Sequence, residues 1–209
     1  MSEITEAIIL CGKDSWKPVL DFGKFNLLEL QISWLVTNGF KHIILAANKE
    51  YPVKSKFNNF IEWSIEYYPK GTGGSTYTAI DKLEDTKFYL MNVDDICIYS
   101  NPLLLCIPET QARILVAKPK IDVGRVELRH DLVIGFKEKP IADYYVSCGH
   151  YFFKKHIIEK YFPDNGNLED IALPRLARER ILEHVKLSNK WMPINSDSDY
   201  KIAREIFYQ

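Results

Sequence analysis

The chain has 209 residues, 46% of them hydrophobic and 13% aromatic, with 27 basic against 28 acidic side chains and a formal net charge of −1. That is enough apolar content for one well-packed domain, and so balanced a charge excludes bulk attraction to nucleic acid or to an anionic membrane. The four cysteines, Cys11, Cys97, Cys106 and Cys148, lie far apart without a Cys-x-x-Cys pair, which argues against a disulfide framework or zinc knuckle and for reduced thiols. No run approaches the roughly 18 apolar residues of a membrane span, and no basic flank precedes the first apolar run, so a cytoplasmic protein is expected.

In chain order, Glu6 to Cys11 predicts a buried strand. Phe25 to Asn38 predicts an amphipathic helix carrying Leu27, Leu28, Leu30, Ile32, Trp34 and Leu35, with Gly39 as its stop. A second buried run, His42 to Ala47, completes a βαβ unit. A strand at Trp63 to Tyr67, a helix from about Gly73 to Leu83 and a strand at Phe88 to Asn92 extend the alternation. After Asp95 the runs shorten: Ile114 to Lys118, then Gly124 to Leu128 and Val133 to Lys137, joined as a hairpin through Arg129-His130-Asp131-Leu132. Tyr145 to Phe153 predicts another strand and Leu168 to Glu183 a helix with Pro174 near its first turns. A strand around Trp191 to Ile194 and a helix from about Asp197 to Tyr208 close the chain.

Six segments within this pattern carry candidate chemistry. The first strand runs through Ala7-Ile8-Ile9-Leu10-Cys11-Gly12-Lys13 into Lys17-Pro18, at the carboxyl end where open α/β sheets place ligands. Gly71-Thr72-Gly73-Gly74-Ser75 follows a strand and opens a helix, so its amides are candidates to face an anion, a base or a ribose. Asp94 ends Leu90-Met91-Asn92-Val93-Asp94. Gly135-Phe136-Lys137-Glu138-Lys139-Pro140 closes the hairpin, and Gly149 and Glu169 sit in two later motifs, Val146-Ser147-Cys148-Gly149-His150-Tyr151-Phe152-Phe153 and Asn167-Leu168-Glu169-Asp170-Ile171-Ala172-Leu173-Pro174.

Together, in one collinear order from Ala7 to Tyr200, these segments resemble the sugar-1-phosphate nucleotidyltransferases. The resemblance implies an α/β fold with a Rossmann-like, doubly wound mixed sheet of the nucleotide-diphospho-sugar transferase type. It implies a single domain, with residues 1–95 as the nucleotide-binding half and 96–209 as the sugar-binding half. By the same resemblance, Lys17 neutralises phosphate charge, Asp94 binds Mg²⁺ and Lys139 meets the sugar phosphate. Leu10, Gly12, Lys13, Gly71, Thr72 and Gly73 fall on the nucleotide, and Glu138, Gly149 and Glu169 on the sugar. The implied ligands are a nucleoside triphosphate and a sugar 1-phosphate, and the Gly-Thr-Gly-Gly run tilts the base toward a purine. Homo- and hetero-oligomers both stay open.

The chain departs from the family pattern in three places. The loop that the family writes Gly-x-Gly-Thr-Arg is shortened to Gly12-Lys13 and its neighbours, Val93 replaces a glycine, and Pro193 stands where the family has a second metal-binding aspartate. A charge-assisted hydrogen bond contributes about 1.5–3 kcal/mol, so loss of the loop arginine alone would cost roughly ten- to a hundredfold in rate. Mg²⁺ commonly uses only one or two carboxylates, so Asp94 could hold it with help from Asp95, Asp197 or Asp199. The leading expectation is therefore transfer of a nucleotidyl group to a sugar 1-phosphate with release of pyrophosphate. The alternative is a non-catalytic sugar-phosphate or nucleotide-binding relative. A metal-dependent glycosyltransferase ranks third, because Asp94-Asp95 is not an Asp-x-Asp pair.

Overall fold

A computed structural model of the chain describes residues 4–12, 15–97, 101–102, 109–187 and 191–207. Three fully or largely buried runs form its centre: β1 (Glu6–Leu10), β2 (His42–Ala47) and β4 (Lys87–Asn92). Ala7–Leu10, Ile43–Ala47 and Phe88–Met91 within them are apolar without alternation because helices cover both faces of the sheet. With β3 (Ile61–Ile65), β6 (Ala112–Ala117), β9 (Val146–Lys154) and β10 (Leu182–Lys186) they form a seven-stranded sheet in the order β10-β6-β9-β4-β1-β2-β3. β9 runs antiparallel to its neighbours β4 and β6, and the other pairings are parallel.

The pleat sorts the core in two. Ala7, Ile9, Ile43, Leu45, Tyr89 and Met91 point to one face, beneath α1 (Leu27–Thr37) and α5 (Asp197–Phe207). Ile8, Leu10, Ile44, Ala46, Phe88 and Leu90 point to the other, beneath α2 (Gly71–Ala79), α3 (Lys155–Tyr161) and α4 (Ala172–Arg178). The expected doubly wound mixed sheet is thus present. α1 starts on a reciprocal capping box in which Asn26 Oδ1 accepts from the Glu29 amide and Glu29 Oε2 accepts from the Asn26 amide. It ends as expected before Gly39, which takes a φ of +93°.

Two differences from the sequence reading matter. The single helix expected over Leu168 to Glu183 is the short α4, followed by β10 at the sheet edge. Arg180 takes a φ of +58°, which no helix continues through, and Thr110 and Arg113 then hold Glu183 in register with β6. Pro174 does fall in the first turn of α4. Two short elements were not anticipated, α3 and β5 (Asp95–Cys97), the latter pairing antiparallel with β11 (Trp191–Pro193). The expected hairpin forms from β7 (Arg125–Arg129) and β8 (Leu132–Lys137). Among the described residues no helix is long and apolar enough to cross a membrane.

Candidate functional site

Because every strand but β9 runs the same way, the ends of β1, β2, β3 and β4 and the start of β9 gather at one edge of the sheet. After β1, Gly12 turns at a φ of +73°, and a 3₁₀ turn at Lys17–Val19 with Pro18 buried under it brings Lys17 back over the edge. Lys13 lies outside the described residues. Lys17 Nζ meets Asp94 Oδ2 at 2.5 Å, and both side chains are about three-quarters buried. Two residues chosen 77 positions apart in the sequence are thus one ion pair.

The turn that carries Asp94 is held from several sides. Gln31 Nε2, from α1, donates to the carbonyls of Val93 and Asp95, each at 3.0 Å. His150 Nε2 donates to the Asp95 carbonyl at 2.7 Å, which leaves Nδ1 to accept from the Tyr89 hydroxyl at 2.7 Å. Fully buried, His150 is pushed down to a pKa of about 4 and stays neutral. The amide of Ile194 donates to the Asp94 carbonyl at 2.8 Å, and in the β5–β11 pairing Pro193 faces Asp95.

The carboxylate of Asp95 is tied to neighbours within the protein. Its Oδ1 accepts from Trp191 Nε1 at 2.8 Å and its Oδ2 from Asn92 Nδ2 at 3.1 Å. Burial, reinforced by the neighbouring charge of Asp94, pushes its pKa up to about 7. The carboxylate lies against Gly149: a Cβ there would sit 1.9 Å from Asp95 Oδ2 and 2.7 Å from Asn92 Nδ2, and the φ is +67°. The need for glycine at 149 therefore has a cause inside the protein. Asp197 lies in the first turn of α5 and is exposed, and Asp199 accepts from the amides of Asn195 and Ser196 while Ser196 Oγ caps the Asp199 amide. Among the described residues no cluster of three or more His, Cys, Asp or Glu side chains is arranged to hold a metal.

At the carboxyl end of β1 opens a cleft of about 230 Å³, which Lys17 and Asp94 themselves do not line. Of the predicted nucleotide residues, Leu10, Gly12, Gly71 and Thr72 line it, and Gly73 does not. Asn48, Glu66, Ser75 and Asn167 line it as well, none of them singled out from the sequence. The glycine run works differently from the expectation that its amides face a ligand. Gly73 and Gly74 both donate to the carbonyl of Gly166, at 3.0 and 3.2 Å, and a Cβ on either would come within 2.9 Å of residues 163–166. These glycines let α2 seat its amino end on the 163–167 loop, and their amides are spent there.

Glu66 is the notable wall of the cleft. It is 8% exposed, its Oε2 accepts from Ser75 Oγ at 3.0 Å, and its Oε1 is buried with no hydrogen-bond partner. Burial pushes its carboxyl upward against the opposing pull of Ser75 and Lys70. Its signal in the sequence is an acidic residue three places before Pro69, in the segment leading into the Gly71-Thr72-Gly73-Gly74 run.

The predicted sugar-side residues do not converge on one point. Glu169 Oε2 accepts from Thr72 Oγ1 at 2.6 Å, which joins a sugar-side to a nucleotide-side candidate. Glu138 and Lys139 are exposed at the end of β8, and Lys139 takes a φ of +43°.

Comparison with known proteins gives the family and the fold. Residues 12–194 match the family model described as Nucleotidyl transferase. The chain is 28% identical to "Probable mannose-1-phosphate guanylyltransferase 3" of Arabidopsis thaliana, over 91% of this chain and 64% of that protein. It is 26% identical to "Mannose-1-phosphate guanylyltransferase catalytic subunit beta" of Dictyostelium discoideum, over 88% and 56% respectively. The chain thus spans 56–64% of the length of these relatives. The crystal structure of HddC from Yersinia pseudotuberculosis complexed with GMP-PN has the same fold, with a TM-score of 0.71 at 23% identity, over 98% of this chain and all of that one. A putative glucose-1-phosphate thymidylyltransferase from Bacillus anthracis superposes at a TM-score of 0.75 with 14% identity, over 98% and 95%. With the family model covering most of its length, the chain belongs to the nucleotidyl transferase family.

Proposed function

We propose that the chain binds GTP in the Glu66 cleft and transfers its guanylyl group to a sugar 1-phosphate, releasing pyrophosphate. The observation that carries this reading is the cleft at the carboxyl end of β1, lined by Leu10 and Gly12, with the buried carboxylate of Glu66 in its wall. A buried acceptor without a partner costs about 1–3 kcal/mol, which a donor on the ligand recovers. Guanine presents two adjacent donors, N1–H and the N2 amino group, to a carboxylate. Uracil and thymine present one, and adenine offers its N6 amino group beside an acceptor. The named relatives include mannose-1-phosphate guanylyltransferases, so mannose 1-phosphate heads the list of acceptors to test.

The attacking phosphate oxygen is already anionic and needs no strong base, so the work of the site is alignment and charge neutralisation at the α-phosphorus. Lys17, fixed on its turn, places a cation at the sheet edge. Oxygen donors suit Mg²⁺, and Asp94 would hold it, with the unpartnered Oδ1 of Asn92 nearby in sequence and in the fold. When bound, the ion supplies further positive charge to the phosphates.

The test is a thermal-shift panel of five nucleoside triphosphates, followed by assay of pyrophosphate release with Mg²⁺. GTP should raise the melting temperature most, and Glu66→Gln should remove that preference. Equal shifts for all bases would refute the assignment of guanine. A second reading, a binding protein without turnover, is favoured by one observation: Pro193 faces Asp95, whose carboxylate is tied to Trp191 and Asn92 rather than turned toward a metal. GTP binding without pyrophosphate release at high enzyme concentration would decide for it.

A further inference from the structure

The ligand edge of the sheet carries two lysines that the chemistry described above does not use. Leu10, which lines the cleft, lies on the face beneath α2, α3 and α4 and is paired with Asn92 of β4. Farther along the sheet the same face continues through Ile114 opposite Tyr151 and Val116 opposite Ser147, whose Oγ lies 3.0 Å from the Tyr151 hydroxyl. One step on, where Ala117 pairs with Val146, Lys118 just past β6 stands beside Tyr145 just before β9, and Lys186 of β10 is paired with Val116. The side chains meet there. Lys118 Nζ lies 5.5 Å and Lys186 Nζ 5.1 Å from the centroid of the Tyr145 ring, which is 45% exposed. The two ammonium groups are therefore within about one Debye length of each other. Among the described residues neither has an ion-pair partner: Asp143 turns to Arg125 at 4.0 Å, and Glu183 pairs with Arg113.

We propose that Lys118, Tyr145 and Lys186 form a second anion subsite, which takes a carboxylate or phosphate on the end of the acceptor sugar remote from C1. Such a subsite presupposes that the acceptor is a sugar 1-phosphate, as in the proposed function. The 1-phosphate must then reach the α-phosphorus near Lys17 and Asp94, where β1 and β4 end. Neighbouring strands lie about 4.8 Å apart, so in the order β4-β9-β6-β10 Lys118 stands about 10 Å and Lys186 about 14 Å across the sheet from β4. A phosphate held at Asp94 does not touch them, whereas a hexose ring lying across β9 carries its C6 substituent toward them. Two like charges held at one ring repel each other. An anion between them removes that repulsion and accepts a charge-assisted hydrogen bond from each. Tyr145 supplies the rigid surface along which the flexible lysine stems are ordered.

Isothermal titration calorimetry of the full chain tests this without turnover, with Mg²⁺ alone and with a GTP analogue that cannot be cleaved at the α-phosphorus. The titrants are the 1-phosphate, the 1,6-bisphosphate and the uronic acid 1-phosphate of mannose and of glucose. In one hexose series an acceptor with the second anion should bind about tenfold tighter than the plain 1-phosphate, and the tighter arm identifies phosphate or carboxylate. Lys118→Met and Lys186→Met keep the stems on Tyr145 and remove the charges, so each should cut that ratio about threefold and the double variant bring it near one. Lys41→Met, just before β2 at the opposite edge of the sheet, should leave the ratio as in wild type. Melting temperatures near wild type would show that the variants fold. Equal affinity for all three acceptors in both series, or a ratio that survives the double variant, would overturn the proposal and leave transfer to a plain sugar 1-phosphate standing. A double variant that weakens the plain 1-phosphate as much as the charged acceptors would overturn it too, because the lysines would then serve the 1-phosphate. Binding of none of the acceptors would overturn it together with the sugar-phosphate reading, whereas a failure of GTP to bind strikes the nucleotide assignment alone.

Discussion

Gly149→Ala separates two explanations of one residue. A glycine kept to leave room for a sugar ring would accept a methyl group with little loss of stability and a poorer KM. The structure gives a different reason: the added Cβ would stand 1.9 Å from Asp95 Oδ2 and 2.6 Å from its Cγ, at a φ of +67°. The left-handed backbone alone costs an alanine about 1–2 kcal/mol. Relief of the clash requires Asp95 to move off Trp191 Nε1 or Asn92 Nδ2, and above pH 7, where Asp95 is charged, each hydrogen bond to it is worth about 1.5–3 kcal/mol. The sum is about 3–5 kcal/mol, which for a chain of this size is a fall in Tm of about 6–20 °C. Differential scanning calorimetry of Gly149→Ala, Asp95→Ala and the double variant measures it. The double variant should be more stable than the two single losses predict, because removing the carboxylate removes the clash. A fall below about 2 °C, or strict additivity in the cycle, would refute the reasoning.

Three further outcomes follow from the same geometry. Lys17→Met removes the cation that occupies Asp94, so Mg²⁺ affinity measured by calorimetric titration should rise about two- to fivefold, the range of a partly exposed ion pair, while pyrophosphate release falls. His150, neutral in the fold with its pKa pushed down to about 4 from an ordinary 6.5, contributes stability present above pH 6.5 and lost as pH falls toward 4. The shift corresponds to about 3 kcal/mol, and His150→Gln should flatten denaturant-derived stability across that window. His42 runs the opposite way: burial works against its charge, but the carboxylates of Glu6 and Glu62 overcome this and raise its pKa. Its contribution is full below about pH 6.5 and lost as pH rises through the raised value, a slope that His42→Gln should remove.

The parts of the fold that the sequence made legible are those whose signals are local. β1, β2 and β4 are unbroken apolar runs, and α1 has both a capping box and a glycine stop. The sequence reading carries its helix to Glu183, into the first two residues of β10. What decides against it is Arg180 in the left-handed region and the waiting edge of β6, neither of them visible in a window of sequence. The site divides in the same way. Lys17 and Asp94 could be named because each ends a strand-and-turn motif, and they meet. The roles of Gly73, Gly74 and Asp95 could not, since they depend on Gly166, Trp191 and Gly149, which lie 54 to 96 positions away in the chain. Glu66 stands just ahead of the Gly71-Thr72-Gly73-Gly74 run, yet only its burial distinguishes it from an ordinary surface acid.

The reversed strand β9 lies between β4 and β6, so the sheet cannot close in the order in which the chain is made. Until residues 146–154 arrive, one edge of β4 has no partner, and Phe88, Tyr89 and Met91 lack the Phe153, Phe152 and His150 that stand beside them. Loop closure over such separations must precede most of the stabilising contacts, and this slows folding. A fragment ending near residue 95 would retain an open, apolar sheet edge and should aggregate rather than fold, so the two halves of the molecule stand or fall as one cooperative unit.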